Sequence, residues 1–346
     1  MTCARLAVRY AVSINKHMIP DGIYLRDDIW SPDVKQEPIR KGYGEGLLQA
    51  GREDERVVAL CADLTDSTMT NLFAKEFPKR YFEMGIAEQS MASVASGMAA
   101  MGKVPFFSSY AMFSPGRNWE QIRTTICYNN TNAKIAGSHA GVSVGPDGAT
   151  HQAIEDIAIT RVIPNMTVLA PIDAVEAKKA TLAAAKMCGP VYIRLAREKT
   201  PLITTDETPF TIGKANILFE SDNPQVALIA CGGLTHNALL AAQELEQEGI
   251  GVIVLANTSI KPMDIEAVLS VSKKAGAVVT VEEHQILGGM GSAVAEVLAQ
   301  NHPVPMELVG VHDRFGQSGD PRELIEHYGM GVHSIKDAVR KVTARK

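Results

Sequence analysis

The sequence predicts an α/β protein with two doubly wound domains, the first built on a parallel sheet and the second smaller. Three observations support this fold class. Short apolar runs such as 57–62 are separated by helical stretches, which is typical of parallel sheets covered on both faces. This alternation stops at 200–224, a stretch rich in Thr, Pro and Asp, and then resumes. The 346 residues, 46% apolar and 21% charged, give an ordinary globular composition with room for about two domains.

The domain boundaries follow from the order of these elements. An N-terminal extension is expected at 1–35, the first domain at 36–199, a linker at 200–224 and the second domain at 225–346. In the first domain we expect helices at 42–51, 70–77, 91–101, 119–127, 151–160 and 174–185, with strands at 57–62, 81–84, 104–107, 133–136, 166–170 and 191–195. In the second we expect strands at 226–231, 252–255, 277–281 and 305–309, with helices at 238–248, 264–275 and 292–299.

Charge and cysteine content narrow the classes of partner. The formal net charge is −5 and no basic block stands out, so we expect no nucleic-acid partner. No apolar run approaches the roughly 18 residues that a membrane span needs, so no membrane partner is expected either. The five cysteines are scattered, odd in number and without CxxC spacing. They indicate reduced residues of a cytoplasmic protein and neither a disulfide framework nor a zinc site.

Glu88 is the residue around which the first domain is expected to be organised. It follows the apolar residues Phe82, Met84 and Ile86 and precedes the predicted helix 91–101. In an apolar pocket the neutral form of a carboxyl group is favoured, and the group can share a proton with a heteroaromatic ring nitrogen. The other interpretation is a glutamate that starts a helix, where its charge suits the positive end of the dipole.

The glycine-rich loop 137–152 is the most informative stretch of the sequence. It holds His139, Asp147, His151 and four glycines within sixteen residues. The glycines allow a ligand to approach the backbone closely, and the polar side chains offer donors and acceptors to a polyol. The two histidines lack the spacing of zinc ligands, so no metal site is predicted here.

Several candidate groups follow strand ends and should therefore meet at one edge of the sheet, where α/β proteins bind ligands. They are Asp63, Glu88, residues 108–110, the loop 137–151 and Arg197.

Neither a Walker A motif nor a G-x-S-x-G motif is present, and 288–291 is better explained as a turn that starts a helix than as a dinucleotide loop. Arginine suits phosphate oxygens, although each such residue taken singly also fits a solvated surface charge or a cap. The nearest set to a phosphate site is Arg40, Ser67, His139 and Arg197.

Four motifs together resemble those of transketolases. They are ADLTDS at 62–67, GIAEQ at 85–89, DGATHQ at 147–152 and RLAR at 194–197, in the order seen in that family. From about residue 38 onward the chain resembles the C-terminal half of such an enzyme, that is, its pyrimidine-binding domain and its C-terminal domain. The resemblance implies an enzyme of the pentose phosphate pathway that transfers a two-carbon ketol unit between sugar phosphates, for example from xylulose 5-phosphate to ribose 5-phosphate.

The resemblance also implies a cofactor, thiamine diphosphate, and the residues that contact it. Glu88 would bond the aminopyrimidine ring and promote the imino tautomer that deprotonates the thiazolium carbon. Asp63, Tyr110 and Phe113 would line the pyrimidine pocket. Two departures from the family pattern are Ala87, where an arginine is usual, and 114–117, where a further tyrosine is usual; both are similar to the two-subunit form.

The substrate contacts implied by the resemblance lie in the loop and the phosphate set. His151, the second catalytic residue, and Asp147 would contact the donor's hydroxyl groups and help to move protons at the reacting carbons. The sugar phosphate would be held by Arg40, Ser67, His139 and Arg197.

A missing motif predicts a partner chain. The sequence lacks a Gly-Asp-Gly motif followed by an Asn ligand, the pattern that holds Mg²⁺ and the diphosphate, and a diphosphate needs its charge met. We therefore expect a half-enzyme that is active only with a separate N-terminal, diphosphate-binding subunit. That subunit would bring the Mg²⁺ ligands, and the assembly would be an α2β2 heterotetramer with the cofactor at the interface.

Three alternatives remain open from the sequence. Two are thiamine enzymes with the same architecture: the β subunit of a 2-oxo acid dehydrogenase, and 1-deoxyxylulose-5-phosphate synthase. The third is a non-catalytic scaffold subunit that has kept the fold, because a fold does not imply a function. The phosphate set and the DGATHQ motif favour ketol transfer.

Overall fold

The computed structural model describes residues 18–346, and this part of the chain forms two large sheets flanked by helices. The strands are β1 (Gln36–Pro38), β2 (Val57–Cys61), β3 (Tyr81–Glu83), β4 (Val104–Tyr110), β5 (Lys134–Ser138), β6 (Thr167–Leu169), β7 (Val191–Arg194), β8 (Lys199–Pro201), β9 (Asn216–Glu220), β10 (Val226–Ala230), β11 (Val252–Ala256), β12 (Ser259–Lys261), β13 (Val278–Gln285) and β14 (Met306–Val311). The helices are α1 (Ile39–Glu53), α2 (Asn71–Glu76), α3 (Glu88–Ala100), α4 (Trp119–Gln121, continued by a π-helical segment Ile122–Cys127), α5 (Asp156–Arg161), α6 (Ala174–Lys186), α7 (Thr235–Gln247), α8 (Ile265–Ala275), α9 (Met290–Asn301), α10 (Pro321–His327) and α11 (Val332–Thr343).

The first sheet has the strand order β12-β6-β7-β5-β4-β2-β3 and is parallel except for β12. Its central strands are fully buried because apolar clusters cover both faces. On one face α1 packs closely against α6, and a side chain at Gly42 would collide with the carbonyl oxygen of Ala174. The parallel strands bring their carboxyl ends to one edge, and the candidate residues lie at that edge.

The second sheet has the order β14-β13-β10-β11-β9, in which β9 alone is antiparallel. Chain order runs from β10 through α7 to β11 on one side, and then through α8 to β13 on the other side of β10. The direction of winding therefore changes between β10 and β13, which makes this the topological switch point of the second domain.

Fold class and strand positions agree with the sequence prediction, and each predicted strand is found. The predicted helix at 151–160 is wrong in its first half, because α5 begins only at Asp156. Before it, Ala153 forms a parallel bridge with Ala140 and accepts the backbone N–H of Gly141, so this segment is extended. The helices α10 and α11 were not predicted.

Two segments outside the predicted domains prove to be part of the packed structure. The stretch 200–224, expected as a linker, contributes β9 to the second sheet. Of the extension at 1–35, residues 1–17 lie outside the described residues, whereas the remainder packs on the second domain. There Ile29 is only 1% exposed, and its carbonyl oxygen lies 2.8 Å from Nε2 of His236. No helix within residues 18–346 is both long and apolar enough to cross a membrane.

Candidate active site at the carboxyl edge of the first sheet

Four aromatic side chains, two at or just after the end of β4 and two in the loop after β5, form one cluster at this edge. Tyr110 ends β4 and Phe113 follows it, and their rings are stacked with centroids 5.8 Å apart. The ring of His139, just after β5, stacks on Tyr110 at 3.8 Å. The ring of His151 meets the Phe113 ring edge-on at 5.3 Å. The structure therefore brings together four residues that the sequence analysis selected separately.

His139 is held in an uncommon conformation inside this cluster. Its φ of 57° lies in the left-handed region, and Oγ of Ser138 lies 2.9 Å from its Nδ1. Burial, reinforced by the positive charges of Arg40 and Arg197, lowers the pKa of His139 to about 3. The ring is therefore neutral near pH 7 and serves as a hydrogen-bonding group and not as a cation.

Arg40 and Arg197 are neighbours of each other and of His139. Nε of Arg40 donates to the carbonyl oxygen of Arg197 at 3.1 Å, and Nη1 of Arg40 donates to the carbonyl oxygen of Ser67 at 2.5 Å. Nη1 of Arg197 in turn donates to the carbonyl oxygen of Val144. Burial lowers the pKa of Arg40, although a guanidinium group stays charged near neutral pH. Two guanidinium groups next to a neutral imidazole can hold an anion, and the group formed by Arg40, Arg197 and His139 is called the anion-binding corner below.

Glu88 opens α3 and is 4% exposed. Nη1 of Arg117 lies 3.2 Å from its Oε1 and 3.4 Å from its Oε2. The guanidinium group of Arg117 also lies 4.2 Å over the Phe113 ring, so it connects the carboxylate to the aromatic cluster. The expectation that the apolar residues before Glu88 surround it is wrong in part, because Ile86 is 74% exposed and does not line the pocket. Each interpretation of Glu88 from the sequence is correct in one feature: the residue is buried, and it also starts a helix.

Asp63 and Asp147 are exposed at the same edge. Asp63 follows β2 with a φ of 57°, and its backbone N–H donates to Oε1 of Glu83 at 2.7 Å. Asp147 ends the 3₁₀ segment Val142–Asp147. Among residues 18–346 neither aspartate carboxylate makes a hydrogen bond or ion pair, so the structure leaves both groups available to a ligand.

The loop between His139 and His151 is fixed by the second domain. Nε2 of Gln152 donates to the carbonyl oxygens of Val142 and Gln317, each at 2.9 Å. The backbone N–H of Ser143 donates to Oε1 of Glu283 at 2.6 Å. The glycines allow this path, because Gly141 has a φ of 90° and a side chain there would collide with Glu283. The second domain therefore positions the loop of the first.

Sequence reasoning missed three residues of this arrangement as site residues. Arg117 was noticed only as a departure from a family pattern, and Gln152 only as part of a motif. Glu283 lies far along the chain in another domain, and the one available signal was the charged stretch 282–284 inside an apolar strand. In the part of the chain that the structure describes, no group of three or more His, Cys, Asp or Glu side chains is arranged to hold a metal ion.

The arrangement defines a class of protein: a two-domain α/β chain with a buried glutamate, stacked aromatic rings and an anion-binding corner at one sheet edge. Residues 35–202 match the family described as transketolase, pyrimidine binding domain, and residues 213–335 match the transketolase C-terminal domain. The chain is 41% identical to the 6-deoxy-6-sulfo-D-fructose transketolase subunit SqwH of Clostridium sp. (strain MSTE9) over 91% of this chain and 98% of that one. The chain belongs to the transketolase family.

The relatives differ in how much of their own length this chain matches. It matches human transketolase at 37% identity over 87% of this chain but only 48% of that protein, so it spans about half the length of such relatives. A solved structure described as a split gene transketolase, inactive beta4 tetramer, superposes with a TM-score of 0.83 at 45% identity, over 89% of this chain and 98% of that one. The chain thus corresponds to about half of a full-length transketolase and to nearly the whole of chains described as transketolase subunits or C-terminal sections.

Proposed function

We propose that this subunit transfers a two-carbon ketol unit between sugar phosphates, with thiamine diphosphate held between it and a separate diphosphate-binding subunit. The observation that carries the proposal is the buried Glu88 carboxylate beside the stacked rings of Tyr110 and Phe113. When bound, the cofactor supplies a carbon nucleophile that takes up the ketol unit. The remaining functions fall to side chains of this chain and of its partner.

The residues present fit an aminopyrimidine ring. A heteroaromatic ring needs a planar apolar neighbour and a group that shares a proton with a ring nitrogen. The rings of Tyr110 and Phe113 offer the first, and Glu88 offers the second. Arg117, the neighbour of Glu88, is 51% exposed in its side chain and can turn into solvent, provided that the ligand then pairs with the buried Glu88 carboxylate. We propose that Glu88 exchanges Arg117 for the ring nitrogen and that Asp63 lies at the rim of this pocket.

The loop and the anion-binding corner suit a phosphorylated sugar. Arg40 and Arg197 would hold the phosphate, with Ser67 and the neutral His139 as further hydrogen-bonding groups. His151 lies against Phe113 and would donate and accept protons at the sugar's reacting oxygen atoms, next to hydroxyl groups bound by Asp147. The cofactor pocket and the anion-binding corner are connected through Tyr110, which stacks on both Phe113 and His139.

A partner chain is supported by the surface of β3 and of α3, the helix that Glu88 opens. Phe82, Ile86, Val94 and Met101 are large apolar residues exposed along β3 and α3, and such residues indicate a protein interface. The related solved structure of a split transketolase is described as an inactive β4 tetramer. This supports the proposal that the present chain needs an N-terminal subunit for activity, in an α2β2 assembly in which that subunit brings the Mg²⁺ ligands.

The sugar itself is a separate question from the reaction class. The Clostridium relative is described as a subunit acting on 6-deoxy-6-sulfo-D-fructose, so sulfonated and phosphorylated ketoses both belong in an assay. Arg40 and Arg197 favour an anionic group at the end of the sugar, and a sulfonate meets that requirement as a phosphate does. The cytoplasmic location stays a prediction, consistent with the free thiols of Cys61, Cys127, Cys188 and Cys231.

The test is an assay of the purified chain with thiamine diphosphate, Mg²⁺, xylulose 5-phosphate and ribose 5-phosphate, alone and with the co-purifying subunit from its own cell. We expect sedoheptulose 7-phosphate only from the mixture. Activity of the chain alone would contradict its dependence on a partner. Turnover of pyruvate or a branched oxo acid with a lipoyl acceptor, and no ketol transfer, would instead identify a dehydrogenase subunit. A Glu88→Ala subunit that assembles and supports full turnover would indicate a scaffold.

A further inference from the structure

A second cavity lies away from the Glu88 site, at the carboxyl edge of the second sheet. Its volume is about 530 Å³, within the range of about 300–1,000 Å³ typical of small-molecule sites. The segment 30–36, β8, the start of α7 and α10 enclose it. Its lining includes Trp30, Lys199, Gly233, Leu240, Glu283 and Arg322.

The position of this cavity in the fold is where a doubly wound domain binds ligands. The winding direction changes between β10 and β13, and the crevice at the carboxyl ends of such strands is the usual binding site. Gly233 follows β10, and Glu283 lies in the part of β13 that extends past the end of β10. The cavity therefore opens at the switch point of the second sheet.

The helix that follows β13 is not available to a ligand at this point. The carboxylate of Glu282 accepts the backbone N–H groups of Met290 and Gly291 at 2.7 and 2.8 Å, so an internal anion already occupies the N-terminus of α9. The helix that follows β10 differs, because the turn before α7, at Gly233 and Leu234, faces the cavity. Only this second N-terminus adds its positive end to the cavity.

Glu283 forms a polar wall of the cavity. It is 7% exposed, and burial raises its pKa. Its Oε1 accepts the backbone N–H of Ser143, and no cationic side chain among residues 18–346 forms a salt bridge with it. A buried carboxyl group of this kind is a partner for an N–H donor of a ligand.

The mouth of the cavity carries two exposed cations, Lys199 and Arg322, which have no salt-bridge partner within residues 18–346. Two further acidic residues line the cavity. Glu198 lies 3.6 Å from Nε of Arg197, whereas the carboxylate of Glu326 is exposed beside Gly331 and has no salt-bridge partner within residues 18–346. The two cations outnumber the one exposed carboxylate that lacks a partner, so an anionic group would meet a net positive charge at the mouth.

We propose that this cavity binds a purine nucleotide. Glu283 would accept the N–H groups of the base, Trp30, Leu240 and Ile325 would provide its apolar wall, and Lys199 and Arg322 would bind the phosphates. Heteroaromatic N–H donors at one end and negative charge at the other are the features that this distribution of side chains recognises.

The cavity is also connected to the loop of the first domain. Glu283 holds the backbone of Ser143, and the next residue, Val144, accepts the hydrogen bond of Arg197. A nucleotide that contacts Glu283 would therefore contact a residue that holds the loop next to the anion-binding corner. Binding in the cavity does not depend on the proposed function and can be measured without turnover.

The test is isothermal titration of the purified full chain with ADP and with GDP. We expect saturable binding of at least one nucleotide, and weaker binding of the matching nucleoside and of inorganic pyrophosphate. Arg322→Glu and Lys199→Glu should each weaken nucleotide binding by about tenfold or more. Leu240→Trp, which narrows the cavity, should also weaken it. Lys273→Glu, an exposed lysine in the last turn of α8, is the matched control and should leave binding unchanged.

Three results would overturn the proposal. The first is the absence of saturable binding by both nucleotides. The second is binding that Arg322→Glu, Lys199→Glu and Leu240→Trp leave unchanged, with each variant folded by circular dichroism. The third is nucleotide binding that Glu88→Gln abolishes, because that result would place the nucleotide in the thiamine site. Loss of ketol transfer alone would bear on the proposed function and not on this cavity.

Discussion

Glu88 and Glu282 are both buried carboxylates at the beginning of a helix, yet their partners differ. Glu282, 1% exposed, accepts two backbone N–H groups at the start of α9, and these cannot move without unwinding the helix. Glu88 is paired with one half-exposed side chain, Arg117. A carboxylate bound by backbone groups stabilises the fold, whereas one bound by a half-exposed side chain can exchange that partner for a ligand. The comparison separates a structural acid from the one that we propose to be functional.

The largest effect is expected at Glu88. The conversion Glu88→Gln keeps the shape of the side chain but removes its ability to take up a proton, so ketol transfer by the assembled enzyme should fall by about 10²–10⁴-fold. Turnover with xylulose 5-phosphate and ribose 5-phosphate is the measurement. Glu120→Gln, an exposed residue of α4, is the control and should keep full activity. Full activity of Glu88→Gln would remove Glu88 from the chemistry.

Glu282 should instead affect stability. Glu282→Ala leaves two buried N–H groups without an acceptor, and we expect the free energy of unfolding in urea to fall by about 2–4 kcal/mol. Glu88→Gln should change it by less than about 1 kcal/mol. Glu296→Ala, which removes an exposed pair with Arg161, is the matched control and should also cost less than about 1 kcal/mol. Equal losses at Glu88 and Glu282 would end the distinction between them.

The next largest effect is expected at Arg197, which we propose binds the substrate phosphate and which also donates to a backbone carbonyl oxygen of the loop. Arg197→Ala should raise KM for a phosphorylated donor by about 10–100-fold, corresponding to about 1.5–3 kcal/mol for a charged contact, with little change for an unphosphorylated ketose. Steady-state kinetics with both donors provide the measurement. Arg197 also binds the carbonyl oxygen of Val144. Equal losses with both donors would therefore assign it to holding the loop and not to binding phosphate.

The smallest effect is expected at Arg117. Its side chain is half exposed and its pair with Glu88 is 3.2 Å long, so Arg117→Met should change the free energy of unfolding by no more than about 1 kcal/mol. Urea unfolding followed by circular dichroism checks this. A loss above about 2 kcal/mol would show that Arg117 is a fixed partner of Glu88, as the α9 backbone is of Glu282.

Local pattern was sufficient for the parallel strands but not for the antiparallel strands β1, β8, β9 and β12, nor for the contacts that support the site. Buried parallel strands are apolar runs, so each was visible in the sequence, and the rule for strand ends correctly grouped Tyr110, His139 and Arg197 at one edge. The start of α5 was missed because the preceding residues pair with Ala140 across the loop. The contact of Ser143 with Glu283 joins residues 140 positions apart, and no local pattern records it.

The most direct test of the central claim is the affinity for thiamine diphosphate, measured by titration calorimetry with Mg²⁺ for this chain alone and for its complex with the diphosphate-binding subunit. A pyrimidine site in this chain that lacks diphosphate ligands predicts binding at least about 100-fold tighter in the complex, since several charged contacts are added there. Equal affinity in the two titrations would contradict the account, because this chain would then hold the whole cofactor by itself.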